Sequence, residues 1–300
     1  MSRMSVPTAI QQMLSTHLSV NDDFVLMGET VGRSGGIAGS TQGLLNAYGS
    51  ERVIDTPISD RATLGIAMGM AIAGKSVVVE LSGSSRISAC FEVIVHACAV
   101  ARHGEFPIHL TIRIPCGAQA GNRLDRSASE LLSTVSGLTV YCPWDGGQLH
   151  SALSHSIKHS GVSVVLESRA LHQQFIEAPP TNATPTAPVQ TVRSGEHITL
   201  VSWGTGVQTA MQAADQLQSE NISTAVVALH QLHPIDADAL GAQVRHTGRA
   251  ICIEAPEGGL AANVLNASLS SAFLYLEAPL TATPASENEI LRVAREAVFY

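Results

Sequence analysis

The sequence predicts an α/β protein with a parallel-sheet domain followed by a smaller α/β domain, and three observations carry that prediction. Short β-branched runs alternate with stretches of helical spacing along the whole chain. The runs are nearly continuous in apolar residues, as strands covered on both faces must be. One Pro-, Thr- and Ala-rich segment, residues 177–194, interrupts the alternation. Neither a helix interior nor a central strand can continue through it, so it reads as a linker between residues 1–176 and 195–300.

In the first domain the strands are FVLMGE (24–29), RVIDTP (52–57), SVVVELS (76–82), IHLTIRIP (108–115), LTVYCP (138–143) and VSVVLES (162–168). Between them RATLGIAMGMAIAG (61–74), ISACFEVIVHACAVARH (87–103) and GGQLHSALSHSIKH (146–159) carry helical periodicity. The second domain repeats the pattern on a smaller scale. Its strands are HITLVSWG (197–204), STAVVALH (223–230), RAICIEAP (249–256) and FLYLEAP (273–279). Helices are expected at about 207–219, 236–247, 260–271 and 286–298.

Composition narrows the partners. Seventeen basic against 25 acidic residues give a net charge of −8, which argues against nucleic acid or an anionic membrane, since both need a basic face. The longest apolar run, LGIAMGMAIAG, stops at Lys75 and is too short to cross a bilayer. MSRMSVPTAIQQML has no long apolar core of a signal peptide, so a cytoplasmic location is expected. Five scattered cysteines without a C-x-x-C pair read as buried thiols in a reducing compartment.

Two motifs fail on inspection. GRSGG (32–36) matches a G-x-S-x-G nucleophile elbow, but Gly39, Ser40 and Thr41 prolong a loop where a sharp strand-to-helix turn is required. WGTGVQTA (203–210) resembles a dinucleotide fingerprint, yet Thr209 replaces the third glycine and STAVVALH ends without an acid for a ribose. His150, His155 and His159 share one helix with no Cys or carboxylate array around them, which does not make a zinc site.

The most informative stretch is DTPISDRATLGIAMGMAIAG (55–74), where Asp60 and Arg61 stand at the mouth of a small, apolar, glycine-spaced helix. It resembles the β subunit of the E1 component of 2-oxo acid dehydrogenases, which are thiamine diphosphate (ThDP) enzymes. VLMGETVG (25–32), VVVEL (77–81), IPCGAQAG (114–121), SGLTVYCPWD (136–145), LHQLHPID (229–236) and IEAPEGG (253–259) fall in the same order as in that family. The resemblance covers nearly the whole chain. It implies a transketolase-type fold, in which a ThDP pyrimidine-binding domain precedes a smaller C-terminal α/β domain.

What the resemblance implies about chemistry is specific. A carboxyl group bonded to N1′ of the pyrimidine lets the cofactor's own 4′-amino group take the C2 proton, and by position that carboxyl is Asp60. A local alternative is that Asp60 merely caps the helix. Glu29, Ile58, Ser82 and Arg86 fall at the other cofactor-contacting positions, and Arg126 at the position that handles a 2-oxo acid substrate. Diphosphate and Mg²⁺ are held in this family by a G-D-G…N motif of the α subunit, which this sequence lacks. An E1 α-like partner in an α2β2 heterotetramer is therefore implied, with a lipoyl domain among the acceptors. The pattern also departs from the family. Asp60 replaces a Glu, Arg86 an aromatic and Arg126 a histidine, and PLTATPASENEI lacks a longer loop. Altered substrate or a carboligase outcome follows from these changes; a non-catalytic subunit and the C-terminal half of a split transketolase are the alternatives. Arg61 and Arg123 read equally well as surface residues paired with acids such as Glu92, Asp125 and Glu130.

Overall fold

The structure, a computed structural model, describes residues 3–104, 107–117, 123–178, 187–255, 281–284 and 286–299, with the backbone alone for 123–127 and 281–284. A short strand β1 (Arg3–Ser5) leads into helix α1 (Val6–Val20), which the sequence reading did not anticipate. Ser5 caps it by accepting the Thr8 N–H at 3.3 Å, and Val6, Ile10, Met13, Leu14 and Leu18 form its buried stripe.

The main sheet begins with β2 (Phe24–Gly28), the short helix α2 (Leu44–Tyr48), β3 (Val53–Asp55), α3 (Asp60–Ile72) and β4 (Ser76–Glu80). It continues with α4 (Ile87–His103), β5 (His109–Cys116), α5 (Arg123–Leu132), β6 (Leu138–Tyr141), α6 (Gly146–Lys158) and β7 (Gly161–Ser168). The spatial order β6-β7-β5-β4-β2-β3 is parallel throughout. Helices α3, α4 and α5 cover one face through residues such as Leu64, Ile94 and Leu132, and α1 and α6 cover the other through Ile10, Leu14, Leu149 and Leu153. Ser84–His103 is long and apolar enough to span a bilayer by composition alone, but Ile87, Cys90, Ile94, Ala97 and Cys98 pack it into the core. All five cysteines are free and buried.

β8 (Phe175–Glu177) pairs back with β1. The second sheet holds β9 (Val189–Arg193), β10 (Ile198–Trp203), β11 (Thr224–Leu229), β13 (Ala250–Glu254) and β14 (Thr281–Pro284), with α7 (Gly206–Ser219), α8 (Ala237–Thr247) and α9 (Glu287–Phe299) around it. Its order is β14-β13-β10-β11-β9, parallel except at β9. β9 lies inside the stretch expected to be a linker: an edge strand tolerates the Pro-rich approach that a central one would not. The expected helix at 260–271 and strand at 273–279 lie outside the described residues. Gly206, from the false dinucleotide motif, starts α7 where an added Cβ would meet Ser202 Oγ at 2.5 Å and Ala255 at 3.2 Å, so close packing accounts for it.

The two sheets are joined by β12 (Gln231–His233), which leaves the second and pairs antiparallel with β6 at the edge of the first. Around it Leu229, Leu232, Leu240 and Trp203 share one core with Val140 and Ile112. Leu232→Ala should therefore destabilise both halves together, by about 2–5 kcal/mol. Urea unfolding followed separately by Trp fluorescence and far-UV dichroism checks this; two displaced, non-coincident transitions would show that the halves are not joined there.

Candidate functional site

A chain leaving β2 turns toward β3 at one edge, whereas a chain leaving β4 turns toward β5 on the other side. Neighbouring strands whose exits diverge open a crevice at their carboxyl ends, where ligands bind in such sheets. Here the crevice is a cleft of about 550 Å³ between Glu29, which follows β2, and Leu81 and Ser82, which follow β4. Thr30, Gly36, Ile37, Glu80, Pro115, Arg169 and His172 are among its other lining residues.

The loop before α3 brings Asp60 against Ser82, behind the residues that line the cleft. Ser59 is the cap of that helix, its hydroxyl accepting the Ala62 N–H at 3.4 Å, so Asp60 does not serve as the cap. Instead Asp60 turns inward and is buried, while Arg61 turns outward to an exposed ion pair with Glu92 at 2.8 Å. A pair of that kind contributes little to stability. Asp60 Oδ1 accepts the Ser82 N–H at 3.2 Å and lies 2.8 Å from Ser82 Oγ; the same Oγ lies 2.8 Å from Glu29 Oε2. One hydroxyl proton thus faces two carboxylates. Asp60 Oδ2 is sealed from solvent and has no hydrogen-bond partner among the described residues. An unmet buried acceptor costs about 1–3 kcal/mol, which a donor reaching it would recover.

Of the other expected site residues, Ile58 is exposed ahead of α3, and Arg86 is exposed on the turn Ser84–Arg86 that opens α4. Arg86 makes no contact with the Glu29–Ser82–Asp60 cluster among the bonds described, but its charge reaches the Cys90 thiol beside Asp60. Burial and Asp60 push that thiol up to about 11, with Arg61 and Arg86 opposing. The side chain of Arg126 lies outside the described residues; its helix α5 packs against the Ser84–Arg86 turn.

Sequence reading missed a second group beneath the cleft. Arg113, fully buried in β5, donates from Nε to Glu167 Oε1 at 2.6 Å and from Nη2 to Glu167 Oε2 at 2.9 Å. Its Nη1 donates to Glu80 Oε2 at 3.1 Å, and Nη2 also reaches Ser40 Oγ at 3.0 Å. His172 Nε2 is 3.0 Å from Glu167 Oε2. Burial would raise Glu167, yet Arg113 and His172 more than offset it and hold that carboxyl down to about 2. Glu80 is pushed up to about 7 by burial; the Glu167 charge adds to the rise, and Arg113 and the Ile37 amide oppose it. Two carboxylates on one guanidinium cannot both ionise cheaply in a dry site, and the one facing the cleft keeps the proton. The missed signal was a single charge in each of three adjacent apolar runs, VVVEL, TIRIP and VVLES.

Residues 2–174 match the family described as transketolase, pyrimidine binding domain, and residues 187–294 that described as transketolase, C-terminal domain. The fold and its cleft are thus those of the two-domain transketolase class. Within it the chain belongs to the family of E1 β subunits of 2-oxo acid dehydrogenases. It is 31% identical over 297 residues to the pyruvate dehydrogenase E1 component subunit beta of Staphylococcus epidermidis, covering 96% of this chain and 91% of that one. It is 31% identical over 289 residues to the mitochondrial subunit beta-2 of Oryza sativa subsp. japonica, covering 92% and 77%. A solved split-gene transketolase, described as an inactive β4 tetramer, has a TM-score of 0.75 at 18% identity over 98% of each chain, a likeness of fold alone.

Arg113→Met leaves two buried carboxylates without their cation and should cost about 3–5 kcal/mol at neutral pH. The deficit should shrink on acidification, because protonating Glu80 and Glu167 removes the uncompensated charge. Denaturation midpoints of both proteins from pH 7 down to 4.5 check this, and a deficit that grows in acid would contradict it.

Proposed function

We propose that this chain is the β subunit of a ThDP-dependent 2-oxo acid decarboxylase or acyl transferase and supplies the pyrimidine half of a cofactor site shared with an E1 α-like subunit. The observation that carries the reading is the partnerless Oδ2 of Asp60, in a cluster with Glu29 and Ser82 at the switch point of a pyrimidine-binding domain. An unpaired carboxylate oxygen beside a hydroxyl and a second carboxylate suits a ring with a protonated nitrogen and an exocyclic amine. When bound, ThDP supplies a C2 carbon that its own 4′-amino group deprotonates once N1′ carries a proton.

This chain's residues then have distinct tasks. Asp60 would hold the N1′ proton, and Ser82 fixes the Asp60 carboxylate through two bonds to Oδ1, leaving Oδ2 without a protein partner. Asp60 is buried, so its carboxylate would have to swing out to reach the ring. Glu29 stands across the hydroxyl as the second acid. Ile58 and the guanidinium of Arg86 flank the ring, the latter able to lie flat against it. Arg126 meets the carboxylate of the 2-oxo acid. Mg²⁺ and the diphosphate fall to the α-like partner, an α2β2 assembly completes two sites, and the acceptor is a lipoyl domain or, in a carboligase outcome, a free carbonyl compound. Buried free thiols are in keeping with a cytoplasmic setting.

Two measurements test this. Calorimetry on the isolated chain should give weak or no Mg²⁺-dependent ThDP binding, and binding should appear on adding the partner; tight binding to this chain alone would sink the half-site reading. In the assembled complex, Asp60→Ala should slow exchange of the ThDP C2 proton by about 10²-fold or more, and Asp60→Glu should match or exceed wild type by restoring reach. Equal exchange in wild type and Asp60→Ala would make this a non-catalytic subunit.

A further inference from the structure

The glycine-rich loop Thr30–Gly43 forms the wall of the cleft beside Glu29, through Thr30, Gly36, Ile37 and Ala38. Three fixings hold it. At its start Asp55 accepts the Gly32 and Arg33 N–H groups at 2.6 and 3.0 Å. Internally Thr41 Oγ1 donates to Val31 O at 2.6 Å, and the Gly36 and Thr41 amides bond back to Thr30 and Gly35. Its far side rests on the buried cluster: Arg113 donates to Ser40, and the Ile37 amide bonds to Glu80. Gly36 lies in the left-handed region, at φ 65°, where an added Cβ would come within 2.9 Å of Glu80 Oε2 and 2.6 Å of Thr41 Oγ1. The loop is therefore seated directly on Glu80 and leaves it only 6% exposed, at the floor of the cleft.

We infer that Glu80, held by Arg113, is a positioning residue that seats the loop Gly35–Ser40 as the cleft wall beside Glu29, and that the loop lifts when Glu80 becomes hydrated. Fully hydrating a carboxylate held by Arg113 at the floor of the cleft requires the sheet to part or the loop to rise. The loop is the cheaper route, since it is held there by two hydrogen bonds and the sheet by continuous ladders. The groups facing Glu80 are Arg113 from β5, Glu167 from β7, His172 from the turn Leu171–Gln173, and Glu29 and Arg169 across the cleft. None but Arg113 is a cation already paired to it. This anchoring needs neither cofactor nor partner.

The sign follows from linkage. A carboxyl near 7 when covered, and near its ordinary 4.5 when hydrated, binds its proton more tightly in the closed loop. The closed state is favoured most below the hydrated value, and that advantage disappears as pH rises to the covered one. Hydrogen–deuterium exchange of the full chain, corrected for intrinsic rates, should show loop opening increasing at least about tenfold between pH 5 and 7 and levelling above. In Glu80→Gln the loop profile should be flat, with β4 and β5 amides still protected. Ser40→Ala, which removes the Arg113 bond without altering charge, should raise loop opening about fivefold at every pH with the wild-type slope kept. A flat wild-type profile, a slope that persists in Glu80→Gln, or Ser40→Ala exchange equal to wild type would overturn the inference. Should Glu80→Gln fail to fold, the wild-type profile and Ser40→Ala decide it.

Discussion

A hydroxyl group has one proton, and Ser82 stands 2.8 Å from a carboxylate on either side. At any moment it donates to Glu29 or to Asp60, so the cluster is one donor short even before the bare Oδ2 of Asp60 is considered. Such a deficit is tolerated in folded proteins where a ligand or another chain completes it. Everything that brings these residues together is fixed by the sheet. β2 and β4 are neighbours whose Gly28 and Glu80 lie in register, so the residues just beyond them, Glu29 and Ser82, leave the sheet side by side. Gly28 is needed for that approach, because an added Cβ would meet the Glu80 carbonyl at 2.7 Å.

The site is layered by dielectric. At the surface Arg61 and Glu92 pair in water with small effect. One layer in, Glu29 and Ser82 reach the cleft and Asp60 lies buried behind them. Deeper still, Arg113 and its two carboxylates are buried; the guanidinium holds Glu167 ionised, while burial pushes Glu80 up to about 7. The deep layer meets the middle one where Glu80 and His172 reach the cleft and through the loop that follows Glu29. On the proposal above, a charge change at Glu80 is felt in the cleft as a change of shape.

The order of strands and helices was legible because parallel strands buried on both faces have no polar face to confuse the pattern. Asp60 was legible as a charge that has no place at the mouth of an apolar helix unless it caps or binds, and Ser59 proved to be the cap. The Arg113 cluster was not read, because one charge within an apolar run looks like a strand end until the register of its neighbours is known; Glu80 and Arg113 face each other only through strand pairing. α1 was missed because its apolar positions are separated by Gln, Ser and Thr, and its burial depends on α6, far away in sequence. β9 was hidden by prolines that an edge position permits.

Asp60 is proposed to share a proton with N1′ of the ThDP pyrimidine. Nitrogen-15 NMR of ThDP labelled at N1′, bound to the complex of this chain with its α-like partner, reads that proton directly. The account predicts a protonated N1′ in the wild type, with one-bond coupling to hydrogen, and an unprotonated N1′ in Asp60→Ala. A ring unprotonated in the wild-type complex, or protonated equally in Asp60→Ala, would contradict it.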